Sequence, residues 1–293
     1  MSAAEAPGTH GPNAGEYIQH HLQHLQKDFS FQSVKQTSIV DFSLFNFDSL
    51  VFSVILGVIG CFVLWSAARK ATSGVPGRFQ AAVEILSEMV ENQAKGEIHN
   101  AKSRKLISPL ALTVFVWIFL MNAMDMLPVD LIPQFWHAAG PALGFKDYMR
   151  VVPTADLSTT LGLSCSVLLI CVFYNIKIKG LGGWAHELIA APFGDHWALY
   201  PVNFLMQMIE YLAKTVSHGM RLFGNMFAGE LVFMLIALMG GGWALSATGF
   251  GLAIGHVIAG TVWTLFHILV ITLQAFIFMM LTLIYTGQAH DAH

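Results

Sequence analysis

The sequence predicts an all-α polytopic membrane protein with five transmembrane helices and one amphipathic interfacial helix. Hydrophobic residues make up 55% of the chain and charged residues 11%, and the mean hydropathy is +0.60. Five apolar segments reach the roughly 18 to 20 residues that a helix needs to cross a bilayer. Such a composition excludes an ordinary soluble globular protein. Without a basic stripe, and with a pI of 6.5, nucleic acid is not an expected partner.

Residues 1–44 are predicted to form a polar external segment. They contain no apolar run typical of a signal peptide. Residues 45–289 form one membrane domain, and residues 290–293 a cytoplasmic tail. The predicted spans lie at about 47–67, 106–127, 156–176, 201–239 and 250–286.

Basic residues flank the first three spans on one side, as at Arg69, Lys102 and Lys177. The positive-inside rule makes that side cytoplasmic, which leaves the N-terminus outside and the C-terminus inside. Lys146 and Arg150, in an external loop, are the exceptions. The last two segments would run roughly 55 to 60 Å as helices, so they are expected to form a long, steeply tilted hairpin.

An amphipathic helix is predicted at about 76–97, where apolar residues recur on one face and glutamates on the other. It lies either at the cytoplasmic membrane interface or against another protein surface. The cysteines Cys61, Cys165 and Cys171 fall within apolar spans and form no CxxC pair, so neither a disulfide framework nor a metal site is expected.

Arg221 sits near the middle of the fourth span. A guanidinium at mid-bilayer costs about 3 kcal/mol on insertion scales and on the order of 10 in simulations. The glutamates of its own helix, Glu210 and Glu230, are too far along the axis to pair with it. The expected partner is therefore a carboxylate of another chain or a water-filled path. Nearby small residues would let another helix approach closely: Gly219, Gly224, Ala228 and Gly229.

Further polar residues follow the same helix. Gln207, Lys214 and Arg221 form a heptad stripe, with Glu210, His218 and Asn225 beside it. The stripe either lines a water-filled path or, at Glu210 and Lys214, belongs to a cytoplasmic extension of the helix whose charges are merely solvated.

The fifth span carries His256, His267 and Gln274 within about one face. A buried histidine is either a proton relay or a hydrogen-bonded core residue. A relay of His267 with Glu230 is one hypothesis, although counting from the turn near 240–242 puts His267 closer to the level of Arg221. Asn122 and Asp125 would line an outer vestibule or end their helix at the interface.

Four segments together resemble subunit a of the bacterial F-type ATP synthase: KATSGVPGRFQ from Lys70, FVWIFLMNAMDMLPVDLIP from Phe115, SHGMRLFGNMFAGEL from Ser217 and FHILVITLQAFIFMMLTLIY from Phe266. The resemblance covers the chain from about Phe45. It implies a proton-conducting stator in the bacterial inner membrane, without a catalytic site or cofactor of its own, which works with the c-subunit ring, a subunit b dimer and the rest of the synthase.

The resemblance also implies residue roles. Arg221 would be the stator arginine facing the ring carboxylate. The outer proton path would comprise Asn122, Asp125, Asn225, Glu230, His267 and Gln274, and the inner path Gln207, Glu210, Lys214 and His218. Relatives often have a glutamate where this chain has Gln207, so Glu210 would supply the displaced acid. His218 and His256 stand where less ionisable residues are expected.

Two other classes of protein are alternatives. A secondary transporter should show an internal repeat with paired broken helices, which the sequence does not contain. A membrane scaffold would have no reason to hold Arg221 at mid-membrane. Sodium rather than proton coupling stays open at this point.

Overall fold

The computed structural model describes residues 15, 18, 22, 25–28, 43–72, 74–128, 131, 150–190, 193–194, 196–241 and 246–290. Most of the predicted N-terminal segment, Lys146 and residues 291–293 lie outside them. The described helices are α1 (Phe47–Arg69), α2 (Arg78–Glu97), α3 (Ala101–Ala123), α4 (Leu157–Ala190), α5 (Tyr200–Gly241) and α6 (Ala247–Gly287). Two strands, β1 (Gln26–Asp28) and β2 (Leu44–Asn46), form an antiparallel pair.

Five of these helices, all except α2, are long and apolar enough to cross a membrane. This confirms the predicted polytopic helical fold. Helix α2 occupies the segment predicted as amphipathic and packs against α1, α3 and α6. Its Glu91 pairs with Arg104 of α3 at 3.2 Å, so part of its polar face contacts this chain. Its placement at a membrane interface stays a prediction.

Helix α4 is longer than the predicted span 156–176, because it continues to Ala190. The sequence after Tyr174 turns polar, which marks the end of the apolar span, but backbone hydrogen bonding does not stop there. Gly180 interrupts the helix with φ of 76°, a conformation that glycine adopts readily. The resulting kink lets Lys179 Nζ contact Glu187 Oε1 at 2.8 Å.

Helices α5 and α6 contain 42 and 41 residues, which confirms the long hairpin. Side chains join them along their length. Asn225 donates to Gln274 at 2.7 Å, and Lys214 donates to Gln288 at 2.9 Å. At the opposite end, the Nδ1 atom of His256 lies 2.7 Å from the carbonyl oxygen of Ile236. The tilt of this hairpin in a membrane stays a prediction.

A close crossing fixes α5 against α4. A Cβ atom on Gly219 would lie 2.9 Å from Leu161 Cδ2 and 3.2 Å from the carbonyl oxygen of Thr160. The Ser164 hydroxyl donates to the carbonyl oxygen of Thr215 one turn away. Because this side of α5 is fixed on α4, the opposite side is turned to the surface of the chain.

The strand pair was not predicted, since β1 lies in the segment interpreted only as polar. Contacts next to this strand pair position the N-terminal end of α1. The Asp48 carboxylate accepts hydrogen bonds from the backbone N–H groups of Leu25 at 3.0 Å and Arg150 at 3.1 Å. The N-terminal strand and the chain entering α4 are thereby joined at one buried carboxylate.

Candidate functional site

Arg221 lies on the exposed side of α5, between buried Leu222 and the small exposed residues Ser217 and Gly224. Within the described part of the chain, no carboxylate lies within 4.0 Å of its guanidinium. Helix α5 therefore presents this cation at the surface of the chain.

The small residues around Arg221 divide into two groups, because two of them let other helices of this chain approach closely. Leu161 of α4 occupies the space beside Gly219, and His267 occupies the space beside Gly229, where its Cε1 atom would overlap an added Cβ. Only Gly224 and Ala228 are exposed beside the arginine, and Gly224 faces open space.

An outer cluster lies where the short turn Met124–Met126 after α3 meets α6. The Nε2 atom of His267 lies 2.6 Å from Oδ2 of Asp125, and both side chains are buried. The Asn122 side chain is also fully buried, and its amide atoms have no hydrogen-bond partner among the described residues. Asn122 and Asp125 therefore lie inside the protein near the end of α3, and the outer vestibule that they would line stays a prediction.

Glu230 pairs with Arg150. The Nε atom of Arg150 donates to Oε1 of Glu230 at 3.3 Å, and its Nη2 atom contacts Oε2. Both side chains are buried, and the guanidinium also lies over the ring of Phe227 at 5.8 Å. No sequence pattern assigned Arg150 to the site. Its one signal was the departure of this external cation from the positive-inside rule.

The count that placed His267 at the level of Arg221 was wrong. His267 packs against Gly229, next to Glu230, and His256 packs against Gly240. Because Gly240 lies near the end of α5 while His256 lies well inside α6, the first turns of α6 extend beyond the end of α5. A symmetric count from the turn ignores this stagger.

Asn225 and Gln274 connect the two regions. Asn225 lies one turn beyond Arg221 on α5 and donates to the Gln274 side chain across the hairpin. This amide pair lies along α5 between Arg221 and the buried Glu230.

An inner cavity of about 340 Å³ lies between α4, α5 and the end of α6. All four residues predicted for the inner path line it: Gln207, Glu210, Lys214 and His218. Lys214 contacts Glu210 at 2.6 Å and Gln288 at 2.9 Å. Lys214 thus makes polar contacts within the chain, while a water-filled path along this stripe stays a prediction. Asn175 and Glu187 of α4 also line the cavity, and the sequence analysis missed both.

The two unassigned histidines differ in their surroundings. His218 is 2% exposed, and its ring centroid lies 3.8 Å from that of Phe278. The Nδ1 atom of His256, by contrast, contacts a backbone carbonyl near the hairpin turn. His256 is therefore a hydrogen-bonded packing residue. No group of three metal-ligating side chains occurs among the described residues.

Comparison with known proteins identifies the family. The family described as ATP synthase A chain matches residues 50–287. The chain is 68% identical over 300 residues to the ATP synthase subunit a of Paracidovorax citrulli (strain AAC00-1), which covers 99% of this chain and 100% of the relative. It is 48% identical over 278 residues to that of Shewanella piezotolerans (strain WP3 / JCM 13877), covering 94% of this chain and 96% of the relative. The chain is a multi-pass membrane protein that belongs to the ATP synthase A chain family.

Proposed function

We propose that this chain is the proton-conducting stator of an F-type ATP synthase. Two offset polar paths deliver protons to, and remove them from, the carboxylates of a rotating c-subunit ring. The observation that carries the proposal is the position of Arg221. It is an exposed cation on a small-residue face of α5, with a buried polar cluster toward one end of the helix and a polar cavity toward the other.

Electrostatics gives the proposed mechanism. A proton entering from outside passes the cluster of Asp125, His267 and Glu230 and then the Asn225–Gln274 pair. It neutralises a ring carboxylate, which can then face lipid because a neutral carboxyl is far less costly to bury than a charged one. The ring turns, and each proton that crosses contributes about 2.3 kcal/mol per 100 mV.

The inner cavity receives the proton after nearly a full turn. Gln207, Glu210, Lys214 and His218 line the exit toward the cytoplasm, and the deprotonated ring carboxylate is attracted to Arg221. This fixed cation disfavours protonation beside it, which separates the outer path from the inner one.

The membrane location, the orientation and the partner subunits that we propose for this chain are those expected for its family. It lies in the bacterial inner membrane with its N-terminus in the periplasm and its C-terminus in the cytoplasm. Its partners are the c ring, a subunit b dimer and the remainder of the synthase, and ATP chemistry takes place in other subunits. Helix α2 lies at the cytoplasmic membrane interface.

Replacement of Arg221 tests the proposal. In inverted membrane vesicles, Arg221→Ala and Arg221→Gln should abolish proton-driven ATP synthesis while the complex stays assembled. Lys105→Ala, which removes an exposed cation at the start of α3, is the matched control and should synthesise ATP normally. Normal synthesis by Arg221→Ala in an assembled complex would contradict the stator assignment.

The transporter alternative makes a different prediction. A secondary transporter should move ions as an isolated chain in liposomes, whereas a stator should conduct only beside its ring. Reconstitution of the purified chain with and without the ring, with proton flux followed by a pH-sensitive dye, distinguishes the two.

A further inference from the structure

His218 occupies a particular place on α5. It lies four residues after Lys214 and three before Arg221, so it sits between the cation in the inner cavity and the cation on the exposed face. Its side chain lines the inner cavity although only 2% of the residue is exposed. Of the polar groups in the cavity wall, His218 lies nearest Arg221 along the helix.

The packing of His218 is aromatic on one side and unsatisfied on the other. Its ring lies 3.8 Å from Phe278 and 5.9 Å from Tyr285, measured between centroids. Its Nε2 atom is buried and has no hydrogen-bond partner among the described residues. A buried polar group without a partner is destabilising, because it loses its hydrogen bonds to water and gains none in the protein. Stability alone therefore does not explain an imidazole here, whereas a proton or a cavity water would satisfy the nitrogen.

The charged and polar groups that face this cavity come from three helices. Besides His218, the groups are Ser164, Cys171, Asn175 and Glu187 of α4, Gln207, Glu210, Tyr211, Lys214 and Thr215 of α5, and Tyr285 and Gln288 of α6 and the turn that follows it. Arg221 lies on the far side of His218 from these groups. The two carboxylates are each paired with a lysine, Glu210 with Lys214 and Glu187 with Lys179.

We propose that His218 carries the proton between the ring carboxyl beside Arg221 and the inner cavity. This inference rests on the stator function proposed above and specifies one residue of its exit path. A neutral imidazole has one acceptor nitrogen and one N–H donor, so it can take a proton on one side and give another on the other.

In the direction of ATP synthesis, the O–H bond of the ring carboxylic acid breaks and its proton passes through a bridging water to the acceptor nitrogen of His218. The N–H bond on the opposite side of the imidazolium then breaks, and that proton passes to cavity water near Glu210. The imidazole is left neutral as the other tautomer. Exchange of the tautomers returns it to its first state, and no electrons are transferred.

Proton flux in the intact synthase tests this role. Inverted vesicles that carry His218→Leu, which fills a similar volume without a ring nitrogen, should pump protons at least about 10-fold more slowly, because positioned acid–base groups contribute on the order of 10² to 10⁴ in rate. His256→Gln is the matched control, since it removes an intramembrane imidazole remote from the cavity. This control should pump at the rate of the unaltered enzyme.

Chemical rescue separates a relay from a packing residue. His218→Ala leaves space beside Phe278, and free imidazole in the buffer should restore its pumping several-fold without affecting His218→Leu. Assembly is checked by the amount of ring and catalytic sector in the membranes. If His218→Leu does not assemble, the His218→Ala rescue decides alone.

Failure of this inference is distinct from failure of the proposed function. Full pumping by assembled His218→Leu, or slow pumping by His218→Ala that imidazole does not raise, would overturn the relay. In the same vesicles Arg221→Ala should still abolish coupling. Normal coupling in Arg221→Ala would instead overturn the stator function on which the relay depends.

Discussion

The Nε2 atom of His267 on α6 lies 2.6 Å from the Oδ2 atom of Asp125, which follows α3, and both side chains are buried. The imidazole of His267 thus lies against the Asp125 carboxylate, while Glu230 is held by Arg150. The outer cluster contains two carboxylates in different settings, one beside an imidazole and one beside a guanidinium. Since a guanidinium does not release its proton, the pair of Asp125 and His267 is the better candidate for proton transfer.

We expect Asp125→Asn to slow proton flux through the assembled enzyme by about 10-fold or more, because it removes a proton-accepting carboxylate from a buried relay. Exchange of the two residues, Asp125→His with His267→Asp, should recover part of the loss, since it preserves the pair. Dye quenching in inverted vesicles measures both. Flux through the exchanged variant no higher than through Asp125→Asn would argue against direct transfer within the pair.

Arg150 should matter more for stability than for proton conduction. Arg150→Gln removes the guanidinium that pairs with the buried Glu230 carboxylate, and removing one partner of a buried ion pair typically costs about 3 to 5 kcal/mol. The expected result is less chain in the membrane and lower resistance to protease. The double variant Arg150→Gln with Glu230→Gln should recover assembly, because it replaces both charges of the buried pair with neutral amides.

The matched control for Arg150 is Arg104→Gln. Arg104 pairs with Glu91 at 3.2 Å, but both side chains are partly exposed, so its loss should cost only about 0 to 1 kcal/mol. If Arg150→Gln accumulated in the membrane as well as Arg104→Gln, the buried pair would not be a structural element of the outer cluster.

Gly229 should be intolerant of a side chain. An added Cβ would lie 2.2 Å from His267, so Gly229→Ala must displace the imidazole or separate α5 from α6. Overpacking of this kind typically costs about 1 to 3 kcal/mol, and here it should also reduce proton flux. Gly162→Ala in α4, where nothing lies within 4 Å of an added Cβ, should behave as the unaltered chain in both assays. Equal flux in the two alanine variants would show that the position of His267 does not matter for conduction.

Much of the fold could be predicted because bilayer insertion imposes simple rules. The five spans follow from the length of apolar runs, and the long hairpin follows from two segments that exceed the membrane thickness. The end of α4 could not be predicted in this way, because α4 continues through polar residues and beyond the kink at Gly180 to Ala190.

Pairings within the site were harder to predict than its members. Periodicity places Gln207 and Lys214 on one stripe with Glu210 and His218 beside it, and the structure gathers these four residues at one cavity. Periodicity cannot show that Asp125, rather than Glu230, contacts His267. That contact depends on the stagger of α5 and α6 and on their packing with α3. Arg150 was missed because its partner is distant in sequence and its loop has no periodic pattern. The role of each candidate in proton transfer stays a prediction.

The last prediction concerns the acid of the inner cavity. Glu210 and Gln207 line the same cavity one turn apart, and Glu210 contacts Lys214 at 2.6 Å. If Glu210 receives protons from the ring, Glu210→Gln should slow ATP-driven pumping several-fold. Gln207→Glu in the double variant should restore much of the rate, because it returns a carboxylate to the same cavity. Glu88→Gln, an exposed glutamate of α2, is the control and should change little. Pumping by Glu210→Gln as fast as by Glu88→Gln would show that the Glu210 carboxylate is only a partner of Lys214 and takes no part in proton release.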